Sequence, residues 1–280
     1  MLTPRGLPSA RRIAVLRERG TARVHRGAYR LAERDFLEGL RLLGPHRGHP
    51  TMDHLASWNE LGMVYKYLGK FAKARKCYRA ALRYCDSCLT GSARHEFLAN
   101  LYHNLGGLEH SLRRFRRAEP YARKSVTFRL CVRPKNAVSV AADRVALAAI
   151  LDGLGKFGES EKLYRGALRI YRRVFGISHR EIALVLNNLA AVYQKTGRVS
   201  HAERMYRVAL DMKVKTLGAR HPDVAVTLSN LGMLLAKEGR VVEAQRYFEK
   251  AWQLVSKTLG RAHPNARAIR KNLDGLRRGR

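Results

Sequence analysis

Apolar residues recur along the chain with the spacing of helical faces, in blocks that repeat. One block places apolar side chains at i, i+4, i+7, i+8 and i+11, in the order Ile182, Leu186, Leu189, Ala190 and Tyr193. Gly197 interrupts this pattern, and a second run with the same period follows, comprising Ala202, Met205, Tyr206, Ala209 and Leu210. Each block therefore predicts two helices joined by a short turn, a helical hairpin.

The block repeats at intervals of 42 to 44 residues, which predicts an array of stacked hairpins. Glycine marks the turn at Gly27, Gly69, Gly155, Gly197 and Gly239, and Arg113 occupies the same position in the third hairpin. A small residue lies in each second helix, namely Ala32, Ala74, Ala118, Ser160, Ala202 and Ala244. Four residues later comes Phe36, Tyr78, Ala122, Tyr164, Tyr206 or Phe248. We expect the small residues to allow close helix packing and the aromatic rings to fill the space between hairpins.

The segment WNELGMVY, Trp58 to Tyr65, followed by Ala74 and Tyr78, resembles the tetratricopeptide signature of W, L, G, Y, then A and an aromatic residue. The 42-residue unit, with HPDVA, NNLA and YRxAL blocks, resembles the repeats of kinesin light chains and nephrocystin-type proteins. The resemblance covers about residues 28–262. It implies an all-α fold, a right-handed α-solenoid whose concave groove is lined by the first helix of each hairpin.

We divide the chain into a basic segment with a degenerate first helix (1–27), an array of five to six repeats (28–262) and a capping helix (263–280). Arg19 and Gly20 stand where a later repeat has Leu189 and Ala190, which predicts that the first repeat is frayed or truncated. Arg144 stands at a position that is apolar in later repeats, so we expect weaker packing of the fourth repeat. Pro120 is expected near the start of its helix, where a lost donor is less costly.

The chain is strongly basic, with 55 Lys and Arg against 22 Asp and Glu and a formal net charge of +33. This charge favours acidic proteins, polyanions or an anionic membrane surface, and it also fits a purely compositional origin. We expect a cytoplasmic protein without membrane insertion, because no apolar stretch is long enough to span a bilayer. The Arg-rich N-terminal residues leave an organelle-targeting segment as an alternative.

The sequence lacks the nucleotide-loop, nucleophile-elbow and zinc-helix motifs, so we expect no enzyme activity and no cofactor; an unrecognised catalytic site is the weakest alternative. Cys85 and Cys88 form the one CxxC pair. A single pair is weak evidence for metal binding, and two small apolar thiols at a helix end explain it as well, so we predict no metal site.

Asparagines recur in the first helices, one residue before a leucine. These are Asn104, Asn188, Asn230 and Asn272, with Asn59 and Asn187 on neighbouring turns. In proteins that this chain resembles, this position faces the groove. Each amide offers a donor and an acceptor, so we predict a peptide-binding groove. Asn59, Asn187, Lys195 and Lys237 are expected to supply selectivity for an acidic segment. The alternative is that these amides only bond adjacent hairpins to one another.

A second row of polar residues follows the outer, convex side of the second helices and is entirely basic. It comprises Lys76, Arg79, Arg123, Lys162, Arg165, Arg204, Arg207 and Arg246. Such a row fits RNA or DNA phosphates, and it also fits a solvated face with i, i+4 ion pairs. We therefore predict a non-catalytic scaffold that binds a protein partner, with nucleic-acid binding as the alternative function.

Overall fold

The computed structural model describes residues 6–46, 49–258, 260–261 and 263–278. The described residues contain thirteen helices and no strand. The helices are α1 (Gly6–His25), α2 (Tyr29–Leu43), α3 (Met52–Tyr67), α4 (Phe71–Cys88), α5 (Gly91–Ser111), α6 (Phe115–Cys131), α7 (Ala137–Gly153), α8 (Phe157–Phe175), α9 (Arg180–Lys195), α10 (Val199–Leu217), α11 (Pro222–Lys237), α12 (Val241–Thr258) and α13 (Pro264–Arg278). The predicted all-α fold is confirmed. Every described helix is too short or too polar to cross a bilayer.

The chain forms two compact units, Met1–Leu154 with α1 to α7 and Gly155–Arg280 with α8 to α13. We call the odd-numbered helices first helices and the even-numbered ones second helices. Within each unit successive helices pack on one another, and neighbouring first helices are also in contact, as in α3 with α5 and α9 with α11. Among the described residues no two second helices approach as closely. The first helices therefore lie side by side, whereas the second helices leave clefts between them.

The turns inside the hairpins adopt the backbone conformation that their glycines predict. Gly69 and Gly197 have φ of 72° and 76°, in the left-handed region that glycine tolerates best. Arg113, at the same position of the third hairpin, also has a positive φ of 55°. The turn geometry is thus kept where glycine is absent, at the cost of backbone strain in Arg113.

The predicted packing of small and aromatic residues is present in the hydrophobic core. Ala74 and Tyr78 are fully buried, together with Leu61, in the core of the first unit. Ala202 and Tyr206 repeat this arrangement in the second unit. The aromatic ring of Tyr78 lies directly against Gly62 of the first helix, where an added Cβ would be 2.4 Å from Tyr78 Cε1.

The residues that depart from the repeat pattern in the first hairpin, α1 with α2, have structural roles. Gly20 lies against Phe36 as Gly62 lies against Tyr78, so a side chain there would collide with the ring. Arg19 replaces a core leucine, yet it pairs with the buried carboxylate of Asp35 at 2.6 Å. Arg23 contacts the same carboxylate. The expectation that α1 is frayed is wrong for the described residues, because a 20-residue helix packs on α2 there.

Two further departures from the repeat pattern leave the helices intact. Pro120 is the sixth residue of α6, one turn further inside than expected. Both Pro120 and Arg116, whose carbonyl loses its helical donor, are exposed, and a solvent-exposed position is where that loss costs least. The partly exposed Arg144 does not prevent α7 from packing on α5 and α6.

Candidate functional site

The candidate site of the second unit is the exposed side of its first helices. On α9 this side carries Leu184, Asn188, Ala191 and Lys195; on α11, Val226, Asn230, Met233 and Lys237; and on α13, Asn272 and Gly275. The residues on each helix are three or four positions apart, so they share one face. We call these ten residues the first-helix face of the second unit. Its asparagines are partly exposed, and Lys195 and Lys237 are exposed.

Asn187 lies beneath this face, which corrects its predicted role as a surface contact. Its side chain is only 6% exposed, and three neighbours occupy its amide. Asn187 Oδ1 accepts hydrogen bonds from Thr227 Oγ1 at 3.1 Å and from Asn230 Nδ2 at 3.2 Å. Asn187 Nδ2 donates to Asn188 Oδ1 at 3.3 Å. Asn187 therefore orients Asn188 and Asn230 rather than contacting a partner itself.

The same network reaches a buried cation on α10. Lys213 Nζ donates to Thr227 Oγ1 at 2.9 Å and to the carbonyl oxygen of Asp223 at 3.2 Å. Burial lowers the pKa of Lys213, and the charge of Asp223 opposes that change. The hydrogen bonds run from Lys213 through Thr227 to Asn187, so the second helix α10 helps to fix the amides that face outward.

Apolar side chains on this face were missed by the sequence analysis. Leu184, Val226 and Met233 are 38%, 37% and 38% exposed, which is high for large apolar residues within helices that pack on both sides. Leu184 and Val226 occupy equivalent positions 42 residues apart, four residues before Asn188 and Asn230. Both residues lie outside the buried stripe of their helix, and this position could have identified them as exposed from the sequence. The first-helix face of the second unit thus combines apolar contacts, amides and lysine cations.

The first unit has a different surface at the equivalent positions. Asn104 Nδ2 donates to Asn59 Oδ1 at 2.8 Å, so these predicted groove residues bond α5 to α3. Glu60 replaces the asparagine of the later repeats, and Ala146 follows Asn104 in this row. The predicted asparagine ladder is therefore interrupted in the first unit, and its described amides bond adjacent hairpins.

Glu60 lies beside a cavity of about 500 Å³ that Arg17, Glu18 and Thr21 of α1 also line. Burial raises the pKa of Glu60 to about 7, although the charge of Arg17 opposes the change, and Asp53 raises it further. Arg17 Nε is 3.7 Å from Glu60 Oε2, while its Nη1 donates to Asp53 at 2.8 Å. Glu60 therefore competes with Asp53 for one guanidinium.

We expect Glu60→Gln to stabilise the protein at pH 8 by about 3 kcal/mol, because the pKa of Glu60 is raised from 4.5 to about 7 and each unit of pKa shift corresponds to about 1.4 kcal/mol. The folded state binds this proton more tightly than the unfolded state, so the carboxylate destabilises the fold increasingly as pH rises from the ordinary pKa of 4.5 to the folded-state pKa of about 7. Urea unfolding at pH 4 and pH 8 measures the difference. A gain that is equal at both pH values would contradict the raised pKa.

A buried ion pair connects three helices of the first unit. Arg129 Nε donates to Asp143 Oδ2 at 2.8 Å, and both side chains are almost fully buried. His103 Nδ1 lies 2.7 Å from Asp143 Oδ1, and Arg129 Nη2 donates to Asn100. Burial alone would raise the pKa of Asp143, but its hydrogen bonds with His103 and Arg129 lower it overall. The repeat places Arg129, Asp143 and His103 at the positions that Lys213, Thr227 and Asn187 occupy in the second unit.

The eight residues of the predicted basic row are all exposed on second helices. Lys76, Arg79 and Arg123 belong to the first unit and the other five to the second. Arg123, Arg165 and Arg207 each form an i, i+4 ion pair with a glutamate of the same helix, Glu119, Glu161 and Glu203 respectively. The latter two glutamates also bind Arg198 and Arg240 of the following turns, at 2.6 and 2.8 Å. These three arginines thus take part in ion pairs within the fold.

The cysteine and histidine positions have structural explanations. Cys85 is buried against Leu55, Leu89 and Leu98, and burial raises its thiol pKa to about 11. The thiol of Cys88 donates to the carbonyl oxygen of Pro50 at 2.9 Å. No group of three or more His, Cys, Asp or Glu side chains within the described ranges is arranged to hold a metal ion. At the starts of α9, α11 and α13, histidine Nδ1 atoms accept backbone N–H bonds as helix caps, in His179, His221 and His263.

Comparisons with solved structures show the same fold at low sequence identity. BtubC (BKLC) from P. vanneervenii is 22% identical, with a TM-score of 0.55, over 75% of this chain and 90% of that chain. A putative kinesin light chain from Podosopora anserina with nearly identical TPR-like repeats is 20% identical, with a TM-score of 0.57, over 73% and 96%. A Rap protein complexed with Competence and Sporulation Factor is 14% identical, with a TM-score of 0.61, over 96% and 75%.

No curated protein sequence matches the chain. The family profile described as Tetratricopeptide repeat matches residues 53–130, 140–213 and 216–273, three quarters of the sequence. These segments contain the hairpins whose glycine turns and alanine–aromatic packing the structure shows. The chain therefore belongs to the tetratricopeptide-repeat family.

Proposed function

We propose that the protein is a non-catalytic scaffold that binds an extended, acidic peptide segment of a protein partner on the first-helix face of its second unit. The observation that carries this proposal is the combination of exposed apolar side chains with amides and lysines on adjacent helices. Leu184 and Val226 offer apolar contacts, and Lys195 and Lys237 offer positive charge at the other end of the same helical faces. None of the ten residues of the face is acidic.

The asparagines of this face keep part of their hydrogen-bonding capacity for a ligand. Asn188 uses Oδ1, and Asn230 uses Nδ2, in their bonds to Asn187. Within the described residues, the NH2 group of Asn188 and the carbonyl oxygen of Asn230 have no hydrogen-bond partner. A donor and an acceptor on neighbouring helices suit the alternating C=O and N–H groups of an extended peptide backbone. Adjacent helix axes are about 8–10 Å apart, so about six extended residues would cross α9, α11 and α13.

The family and its structural relatives support a role in protein interaction. Arrays of tetratricopeptide repeats provide a rigid, preorganised surface, which lowers the entropy lost when a partner binds. The related Rap protein was solved in complex with Competence and Sporulation Factor. The net charge of +33 would speed association with acidic partners at low salt.

We expect Asn188→Ala combined with Asn230→Ala to weaken peptide binding by about tenfold or more, since each lost hydrogen bond costs about 0.5–1.5 kcal/mol. Peptides selected from an acidic peptide library on the purified full chain serve as probes, and fluorescence anisotropy measures their affinity. The melting temperature should fall by only about 2–6 °C, because Asn187 keeps its bond to Thr227 although its buried Nδ2 loses Asn188 as a partner.

Asn59→Ala combined with Asn104→Ala is the control, because it removes the bond between neighbouring first helices of the first unit that corresponds to the Asn230–Asn187 bond of the second unit. This control should leave peptide affinity unchanged. A lower melting temperature with unchanged affinity in the Asn188 and Asn230 variant would show that the amides only connect hairpins. That outcome would reject the proposal.

The structure gives less support to nucleic-acid binding along the whole basic row. Arg123, Arg165 and Arg207 bind glutamates of their own helices, which reduces the charge available for phosphates. We therefore expect nuclease treatment to leave partner capture from a lysate unchanged at moderate salt.

A further inference from the structure

A cleft opens between the second helices α8 and α10 of the second unit, away from the first-helix face. Its volume is about 620 Å³. The floor is apolar and consists of the partly exposed Met205 of α10 above the largely buried Leu168 of α8 and Leu186 and Leu189 of α9. The cleft exists because neighbouring second helices are not in backbone contact within the described residues, whereas α9 fills the space below.

One wall of this cleft is a line of cations on α8. Lys162, Arg165, Arg169 and Arg172 line it at positions i, i+3, i+7 and i+10, which extends along about 15 Å of helix. Arg165 is 3.3 Å from Glu161, and that glutamate also binds Arg198 and Tyr193. The other three cations have no acidic partner among the described residues. The cleft therefore presents unpaired positive charge beside an apolar floor.

Met205 contributes to the size of the cleft. The equivalent position holds Tyr121 in α6 and Tyr247 in α12, each a multiple of 42 residues away. A methionine leaves more room than a tyrosine and adapts its shape to an apolar ligand. Since the chain itself uses tyrosine at this position in two other second helices, the larger residue is compatible with the fold.

The composition of the cleft selects one kind of occupant. A nucleic-acid backbone would satisfy the cations, but its phosphates and sugars offer little to an apolar floor. A helix with an apolar stripe and acidic residues beside the stripe satisfies both, because residues three and four apart lie about 5–6 Å from one another on a helix. The α8 cations have the same spacing. We propose that the cleft between α8 and α10 binds an acidic amphipathic helix of a protein partner.

The test uses the purified full chain and a fluorescein-labelled peptide of about 15 residues, long enough for four helical turns. The peptide carries leucines along one face and glutamates beside them. A scrambled peptide of the same composition and a single-stranded RNA of similar charge are the comparison ligands. Fluorescence anisotropy at physiological salt reports each affinity.

Two variants test the wall and the floor separately. Lys162→Glu with Arg169→Glu reverses two cations, and Met205→Tyr fills the floor without changing charge. The matched control is Lys76→Glu with Arg83→Glu, which makes the same charge change at the equivalent positions of α4. We expect the amphipathic peptide to bind at least about tenfold more tightly than the scrambled one, and each test variant to weaken it about tenfold or more. The α4 control should retain binding.

Equal affinity for the amphipathic and scrambled peptides would overturn the proposal, because the apolar floor would then contribute nothing. Unchanged binding in the Met205→Tyr variant, with unchanged melting, would also overturn it. RNA binding that exceeds peptide binding and depends on Lys162 and Arg169 would assign the cations to phosphate instead. The Asn188 and Asn230 double variant should retain binding of this probe, so the outcome is independent of the peptide site proposed on the first-helix face.

Discussion

Asp143→Ala is expected to destabilise the protein by about 3–5 kcal/mol, because removing one member of a buried ion pair leaves the other charged and unpaired. Arg129 would remain buried with only Asn100 as a side-chain partner. His103 would lose its partner as well, but its side chain is 38% exposed and water can replace the contact. His103→Ala should therefore cost much less, about 1 kcal/mol or below.

The next repeat indicates which pair of apolar residues could replace this buried ion pair. The positions of Arg129 and Asp143 are occupied by Tyr171 and Val185 one repeat later. Because well-packed apolar residues often replace a buried ion pair without loss, we expect Arg129→Tyr combined with Asp143→Val to recover most of the stability lost in Asp143→Ala. Urea unfolding followed by circular dichroism compares the unmodified protein, Asp143→Ala and the double variant. A cost below about 1 kcal/mol for Asp143→Ala would show that the pair does not stabilise the folded first unit.

The pH dependence of this pair has a defined sign. The pKa of Asp143 is lower in the folded state than its ordinary value of 3.8, so the folded state binds this proton more weakly than the unfolded state. The stabilisation by the pair is complete above pH 3.8 and is lost as pH falls through the lower folded-state pKa. Glu60 has the opposite dependence, since its raised pKa makes the fold less stable as pH rises towards neutrality.

The sequence predicted the helices and their stacking because these depend on local, periodic signals. The recurrence of glycine turns and of small residues before aromatic ones identified each hairpin. The buried charges were not predictable in the same way. Arg19 and Asp35 lie 16 positions apart, and each looks unfavourable alone in an apolar position; only the packed structure shows that they pair. A departure from the pattern in one helix was compensated by a departure in the next.

Only part of the candidate site was predictable, because the rest depends on contacts between hairpins. The 42-residue period locates a residue along a helix, but it does not distinguish Asn188, which is partly exposed, from Asn187, which is buried beneath it. Burial of Asn187 depends on Thr227 and Asn230 of the next hairpin, which lie about 40 residues away in sequence. The cleft between α8 and α10 depends on helix separation, which no residue pattern in α8 reveals.

Gly62→Ala should destabilise the protein by about 3 kcal/mol, although alanine is the better helix former. The new Cβ would lie 2.4 Å from Cε1 and 2.7 Å from Cδ1 and Cζ of Tyr78. Tyr78 is fully buried, so its ring cannot move aside, and α3 must move away from α4 instead. Because the fifth hairpin combines Ala190 with Tyr206, we expect the variant to remain folded with a lower melting temperature.

Gly106→Ala is the matched control for this prediction, since Gly106 occupies the same position in the next hairpin. There the aromatic residue is replaced by Ala122, and the nearest atoms to an added Cβ are Ala122 N at 3.4 Å and Ala122 Cβ at 3.6 Å. With space for the methyl group, the higher helix propensity of alanine should stabilise the protein by about 0.5–1 kcal/mol. The two substitutions should therefore change the free energy of unfolding with opposite signs in the same urea titration. Equal effects would mean that the aromatic residue of the second helix does not set the helix spacing within a hairpin, and the packing rule inferred from the repeat would fail.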